Sequence, residues 1–165
     1  MDFLFFPRLI KRFMKTRITM VMFVALMLSV FSANAQIAVN GIEVDTKMTK
    51  SEVIAKFGEP DRYSYNDAGM VEGIDEWYLY ADSSLHFNNN LFIGFTVCDK
   101  NFSVTLGGLD SDITVGDKFS VLSPLNLIEM DWYEKDWYCV YYYDVMVSFE
   151  VKDSIITCID YCFPD

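Results

Sequence analysis

A short helix is the first element that the hydrophobic pattern predicts in this chain. Three apolar positions share one helical face, namely Val53, Ile54 and Phe57. Thr49 and Glu52 have the spacing of a capping box, in which each side chain accepts a hydrogen bond from the other residue's backbone N–H. Gly58 follows, two residues before a proline, where such a helix ends. The pattern therefore predicts a helix over residues 49–57.

Strands are predicted after this helix, because apolar and polar residues alternate in several short runs. In the first half of the chain, these runs cover residues 63–65, 77–80, 85–87 and 91–97. In the second half, they cover residues 127–133, 137–143, 145–151 and 154–161. No long helical pattern separates the runs, so neighbouring strands are expected to pair as antiparallel meanders.

The second half of the chain repeats the order of elements in the first half. At a fixed offset, Met48, Ile54 and Phe57 match Ile113, Phe119 and Leu122. The sequence therefore predicts an α+β fold with two repeats, each a short N-terminal helix packed on a roughly four-stranded antiparallel meander. The first unit is predicted over residues 36–100, the connection over 101–112 and a second, divergent unit over 113–165.

A family resemblance rests on positions within the first unit. They are Met48, Thr49, Val53, Gly58, Pro60, the aromatic run 77–80, Leu85, Phe87 and Leu91. Over about residues 48–97 this set resembles the small protein A/outer-membrane lipoprotein A family of BamE-like domains, with a capped helix ending in Gly-x-Pro before a meander. The tandem arrangement is similar to that of beta-lactamase inhibitory proteins, which are exported and bind other proteins. The resemblance implies a non-enzymatic interaction module of the cell envelope.

The N-terminal segment has the pattern of an export signal. Basic residues precede an apolar run at 18–31, and Ala33-Asn34-Ala35 has the small-x-small spacing of a cleavage site. The run is shorter than the roughly 20 apolar residues that span a membrane. The sequence therefore predicts a signal peptide over residues 1–35, with residues 1–13 preceding a more usual start, and a periplasmic or secreted protein. An uncleaved N-terminal anchor is the alternative.

The charge balance becomes more acidic once the predicted leader is set aside. The whole chain has a formal net charge of −11, with 13 Lys and Arg and 24 Asp and Glu residues. Residues 1–35 contain five of the basic residues and one of the acidic residues, which leaves −15 on the remaining 130 residues. This charge favours solubility and a basic partner, and it disfavours binding to nucleic acid or to anionic lipid.

All four cysteines follow the predicted leader, namely Cys98, Cys139, Cys158 and Cys162. In an oxidising compartment they permit disulfides in three connectivities, and buried free thiols are the alternative. Cys158 and Cys162 would lie about 13 Å apart along a strand, beyond the roughly 7 Å reach of a disulfide, so they are not expected to pair. The scattered thiols and the single histidine, His86, predict neither a metal site nor a cofactor.

Two carboxylate clusters are the candidates for catalysis. They are Glu72, Asp75 and Glu76, and then Glu129, Asp131, Glu134 and Asp136. A carboxylate-dependent hydrolase needs an acid/base pair in a cleft, with the pKa of one carboxyl raised. The spacing shows neither feature, and His86 is expected to be an ordinary surface histidine. The sequence therefore predicts no catalytic activity, with a small carboxylate-dependent hydrolase as an alternative.

The most distinctive stretch is aromatic and covers residues 132–143, where seven of the twelve residues are Trp or Tyr. In a strand, aromatic side chains would lie on both faces. Since only one face should meet the core, this pattern predicts an exposed surface of the kind enriched at protein interfaces. Cross-strand packing, burial between the two units and a platform for sugars are the alternatives. The predicted partner-binding surface comprises Trp132, Tyr133, Trp137, Tyr138 and Tyr142.

These observations together predict an exported cell-envelope module that binds another protein and has no catalytic activity. The dense carboxylates beside the aromatic run predict a partner whose contact patch is basic or amphipathic. A secreted inhibitor of an enzyme is the alternative within the same class of binding proteins.

Overall fold

Strands dominate the computed structural model, which describes residues 36–66, 73–130 and 136–162. The structure is 53% strand and 11% helical. The strands are β1 (Ile37–Val39), β2 (Ile42–Glu43), β3 (Arg62–Asn66), β4 (Asp75–Tyr80), β5 (Ser83–Asn88), β6 (Leu91–Val97), β7 (Ser103–Leu106), β8 (Ile113–Thr114), β9 (Ile128–Glu129), β10 (Asp136–Tyr142), β11 (Val145–Lys152) and β12 (Ile155–Cys162). Helix α1 covers Lys50–Phe57, and a 3-10 turn covers Phe119–Leu122.

The strands form two antiparallel sheets. The larger has eight strands in the order β3-β4-β5-β6-β12-β11-β10-β9. It therefore consists of two consecutive meanders, which are joined where β12 pairs with β6 and Ile159 lies opposite Val97. The smaller sheet has four short strands in the order β2-β1-β7-β8. Strand β7 lies within the segment 101–112 that was predicted to connect two units.

The predicted α+β fold with two helix-plus-meander repeats is wrong, because the described residues form a mostly β structure with one α-helix. Where the second helix was expected, Phe119–Leu122 form only a 3-10 turn. Lys118 supplies no side-chain cap, and Pro124 follows closely. Each meander also pairs with the other along β6 and β12, so the backbone N–H and C=O groups at these two edges form hydrogen bonds. The two similar halves of the sequence therefore form one continuous sheet and not two separate units.

The first predicted helix is confirmed. The Thr49 side chain accepts from the Glu52 backbone N–H, and the Glu52 carboxylate accepts from the Thr49 backbone N–H at 2.8 Å. Val53 is fully buried, and the Phe57 ring lies 6.5 Å from the Phe92 ring. The C-terminal end is at Gly58, whose φ of 90° suits a residue without a Cβ. Capping and one buried face therefore fix this short helix.

In the part of the chain that the structure describes, one hydrophobic core joins the two sheets. Side chains from both sheets form one buried cluster, which includes Phe87, Phe92 and Phe149 from the large sheet and Val39 and Val104 from the small one. The side of the large sheet that meets this cluster is called the core face. Because side chains alternate along a strand, every second residue of the large sheet lies on the opposite side, which is called the outer face.

A tyrosine cluster closes the core near β3 and β4. The Tyr63 hydroxyl donates to the Glu76 carboxylate, and the Tyr80 hydroxyl donates to the Gly58 carbonyl at 3.3 Å. Burial, together with the hydrogen bond to Glu76 and the negative charge of that carboxylate, raises the pKa of Tyr63 to about 12. Burial also raises the pKa of Tyr80 to about 12. Both phenols are therefore held neutral by the fold.

We expect the protein to lose stability as the pH rises from 10 towards 12. A phenol whose pKa is higher in the folded chain than its ordinary 10.0 contributes stability that is complete below pH 10 and is lost as the pH approaches 12. Phenolate absorbance and circular dichroism should therefore show a late group of tyrosines that ionises as the fold is lost. Tyr63→Phe should remove one residue from that group. Ionisation of all ten tyrosines near pH 10 in an intact fold would contradict this expectation.

Candidate functional site

The outer face of the eight-stranded sheet is the candidate site. Its aromatic residues lie towards the two sides of the sheet, with Trp77 on β4 and Trp137 and Tyr141 on β10. The Trp77 side chain is 38% exposed and Tyr141 is 47% exposed. Burial of large aromatic side chains stabilises a fold or a complex, so aromatic side chains that a sheet leaves exposed are available to a second molecule. Their presence on one face marks it as a surface that another molecule can cover.

A row of directly opposed residues crosses the outer face from β9 to β3. From one edge to the other it reads Ile128, Cys139, Ser148, Asp160, Thr96, Ser84, Leu79 and Arg62. The middle of the row is polar, and the Thr96 hydroxyl donates to Asp160 at 2.6 Å. Glu150 lies on the same face, opposite Trp137. The outer face thus combines aromatic flanks with a polar, acidic centre.

An aromatic and imidazole stack forms the β4 flank of this face. Trp77 and His86 are directly opposed on β4 and β5, and their rings stack at 3.8 Å with an angle of 11° between the planes. The nearest carboxylate is that of buried Asp75, whose Oδ1 lies 3.5 Å from His86 Nε2. Burial lowers the pKa of His86, and the Asp75 carboxylate partly offsets this effect. The imidazole is therefore more readily neutral than an exposed one.

A disulfide between Cys98 and Cys158 stiffens the centre of the sheet. It joins the end of β6 to β12 across the boundary between the two meanders, with a Cα–Cα distance of 4.2 Å. The expectation that Cys158 does not pair with Cys162 is confirmed by this bond. Cys139 is a buried free thiol on the outer face, and burial raises its pKa. Sequence spacing alone left the connectivity open.

The structure does not bring the predicted partner-binding residues together on one surface. Trp132 and Tyr133 lie outside the described residues. Trp137 is on the outer face, whereas Tyr138 and Tyr142 are half-buried on the core face. Tyr138 packs on Phe119 with ring centroids 4.5 Å apart, and the Tyr142 hydroxyl donates to the Gly107 carbonyl at 2.8 Å. The two-sided aromatic pattern therefore combines one surface-facing set with one core-facing set.

Sequence reasoning missed Trp77 and Tyr141 as members of the candidate site. Trp77 belongs to a strand in the other half of the chain, and only the pairing of β6 with β12 places it on the same face as Tyr141. Strand alternation was an available signal, because it separates Trp77 from buried Tyr78 and Tyr141 from Tyr142. Only the tertiary packing shows which residue of each pair faces the core.

The carboxylates proposed for a hydrolase are placed apart. Glu72, Asp131 and Glu134 lie outside the described residues. Asp75 accepts from the Asn88 side chain at 2.8 Å on the outer face, whereas Glu76 accepts from Tyr63 on the core face. Glu129 and Asp136 are exposed near the opposite edge of the sheet. Asp75 and Glu76 are thus engaged on opposite faces of one strand.

Comparison with known proteins gives this chain no relative. No protein family, no curated protein and no solved structure matches it. The resemblance of residues 48–97 to BamE-like domains therefore stays a prediction. Within residues 36–66, 73–130 and 136–162, no helix is long and apolar enough to cross a membrane. In the same ranges, no three His, Cys, Asp or Glu residues are grouped to hold a metal ion.

Proposed function

We propose that this protein binds another protein through the outer face of its eight-stranded sheet, as an exported interaction module without catalytic activity. The observation that carries the proposal is the exposure of Trp77 and Tyr141 on the one face of the sheet that the core does not occupy. Trp and Tyr are enriched at interface centres, where each buries a large area with few rotatable bonds. The core face is not available to a partner, because its side chains already form the hydrophobic cluster.

The charges of the outer face define the chemistry of the partner. Asp75, Glu150 and Asp160 lie on this face, and Arg62 is at its β3 edge. The whole chain is also acidic, with a formal net charge of −11. A partner whose contact patch is basic or amphipathic gains attraction, and an acidic patch is repelled. A nucleic acid does not fit this surface, because its phosphates are repelled in the same way.

Rigidity of the face supports a binding role. Strands β6 and β12 are held together at the centre of the sheet by the Cys98–Cys158 disulfide as well as by their backbone pairing. A surface that is ordered before it binds loses less conformational entropy in the complex. A structural disulfide is also typical of proteins in an oxidising compartment, which supports the export predicted from residues 1–35.

Trp77→Ala and Tyr141→Ala are each expected to weaken partner binding about tenfold, which corresponds to roughly 1.4 kcal/mol. The partner is first recovered from an envelope extract with the wild-type protein and is then titrated against each variant by calorimetry. Tyr65→Ala is the matched control, because Tyr65 is 66% exposed but lies beside Tyr63, away from the outer face. Circular dichroism checks that each variant is folded.

The pattern across the variants decides the proposal. Wild-type affinity in both outer-face variants, or an equal loss in Tyr65→Ala, would show that the partner binds elsewhere. Affinity that falls as salt is added supports the acidic face as the contact, because screening weakens attraction between exposed charges. A recovered partner that is an enzyme and loses activity on binding would assign the protein to the inhibitors.

A further inference from the structure

His86 is the only histidine of the chain, and it lies in the aromatic flank of the outer face. Its cross-strand neighbour on β4 is Trp77, and its neighbour on β6 is Gly94, which has no side chain. The imidazole therefore lies against one indole ring, at a ring separation of 3.8 Å. A change of charge on this imidazole acts directly on an aromatic residue of the proposed binding surface.

The polar groups around His86 stabilise its neutral and protonated forms to different extents. Nε2 is buried and has no hydrogen-bond partner. Asp75 Oδ1 lies 3.5 Å away and already accepts from the Asn88 side chain at 2.8 Å. A neutral imidazole thus gains little from its neighbours. An imidazolium would gain an ion pair with Asp75 and a cation–π contact with Trp77, but it would lose hydration.

The groups that face His86 from the neighbouring strands leave Asp75 as its main charged partner. Strand β6 presents Gly94 and Thr96, which do not titrate, and Asp160 follows on β12 behind Thr96. Beyond Trp77, strand β3 presents Ser64 and, next to Leu79, Arg62. Burial and Asp75 therefore set the protonation of this histidine, in opposite directions, and burial dominates.

We propose that His86 is a proton-operated control on the outer face, which weakens binding of a basic partner when it becomes protonated. This inference rests on the proposed function for the identity of the surface. Protonation adds a positive charge beside Asp75 and holds the Trp77 ring against an imidazolium. The face then attracts a basic patch less strongly, and by linkage a bound basic partner makes His86 harder to protonate.

The first experiment tests the control without any partner. Because the chain has a single histidine, its two carbon-bound ring protons are assignable in NMR, and their common titration midpoint is expected below the ordinary value of 6.5. Tryptophan fluorescence should fall in the same pH step, because a stacked imidazolium quenches an indole. Asp75→Asn should move the midpoint lower, since it removes the attraction that favours the charged form. Trp77→Phe should abolish the fluorescence step and keep the NMR step.

The proposal is overturned by a titration at 6.5 that Asp75→Asn does not move, because His86 would then be an ordinary exposed histidine. A fluorescence step that persists in Trp77→Phe would also overturn it, since the stack could not be its source. Both readouts use the isolated protein, so they remain informative whatever the natural partner is.

The second experiment uses a peptide of eight lysines as a basic probe, at low ionic strength. Its affinity for the wild-type protein is expected to fall about fivefold from a pH above the NMR midpoint to a pH below it, as for the loss of one exposed charge interaction. His86→Gln keeps a side chain that does not titrate, so its affinity for the peptide should not change across this pH range. An equal fall in His86→Gln would assign the effect to carboxylates and overturn the control by His86.

Failure of the proposed function gives a different result. If the lysine peptide does not bind at any pH while the NMR and fluorescence steps are present, the outer face is not a site for basic partners. The binding half of the inference is then wrong, and the protonation of His86 against Asp75 and Trp77 still stands on its own measurement.

Discussion

Replacing both Cys98 and Cys158 with serine is expected to lower the free energy of unfolding by about 4 kcal/mol. The disulfide closes a loop between residues 60 positions apart, and cross-linking a loop of this length removes that much conformational freedom from the unfolded chain in the entropy model. The bond also fastens β6 to β12, the pair that joins the two meanders. Urea unfolding, followed by circular dichroism, measures the difference.

Reduction of the wild-type protein provides a matched comparison for the serine variant. Reduced wild-type protein and the double variant should unfold at nearly the same urea concentration. Cys139→Ala controls for the replacement of a buried cysteine elsewhere in the same sheet, and it should retain the response to reductant. Equal stability of oxidised and reduced wild-type protein would contradict the assigned role of the disulfide.

Combined replacement of Tyr138 and Tyr142 with alanine is expected to cost about 4 kcal/mol of stability, roughly 2 kcal/mol for each half-buried ring. Tyr138 would lose its packing on Phe119, and Tyr142 would lose its hydrogen bond to the Gly107 carbonyl. Both side chains pack against the hydrophobic core. Thermal and urea unfolding of the single and double variants measure the loss.

Tyr141→Ala is the matched control for this pair, because Tyr141 lies between them in sequence but on the outer face. It should cost less than about 1 kcal/mol, since its side chain is 47% exposed. The sequence alone placed Tyr138 and Tyr142 in the partner-binding surface, where alanine substitutions would weaken binding and leave the fold intact. A stable double variant together with a destabilised Tyr141→Ala variant would restore that assignment of faces.

Local signals in the sequence were sufficient for helix α1 and for most strands. The capping box at Thr49 and Glu52 works over three residues, so neither partner depends on the rest of the chain. The alternation in residues 85–87 and 91–97 likewise predicted strands that the structure contains as β5 and β6. Such patterns survive in the fold because their physical causes are short-range.

The fold class depended on contacts that no local pattern contains. A second helix was expected near Phe119, but that segment lacks a side-chain cap, and the Phe119 backbone N–H donates instead to the Ser154 carbonyl. Pairing of β6 with β12 brings residues about 60 positions apart into register and merges the two meanders into one sheet. This pairing stabilises the fold only after both strands have formed, so neither half of the sequence indicates it.

The sequence by itself determined the helix, the strand alternation, the acidic charge and the candidate export signal. Tertiary structure decided which side of each strand faces the core. Alternation sorts Trp137 and Tyr141 from Tyr138 and Tyr142, but both sets are aromatic, so hydrophobicity does not say which set is buried. The small sheet and α1 pack against the core face of the large sheet and thereby bury one set. The same packing leaves Trp77 and His86 on the outer face, because the way the two sheets and α1 pack together decides which side of a strand is buried.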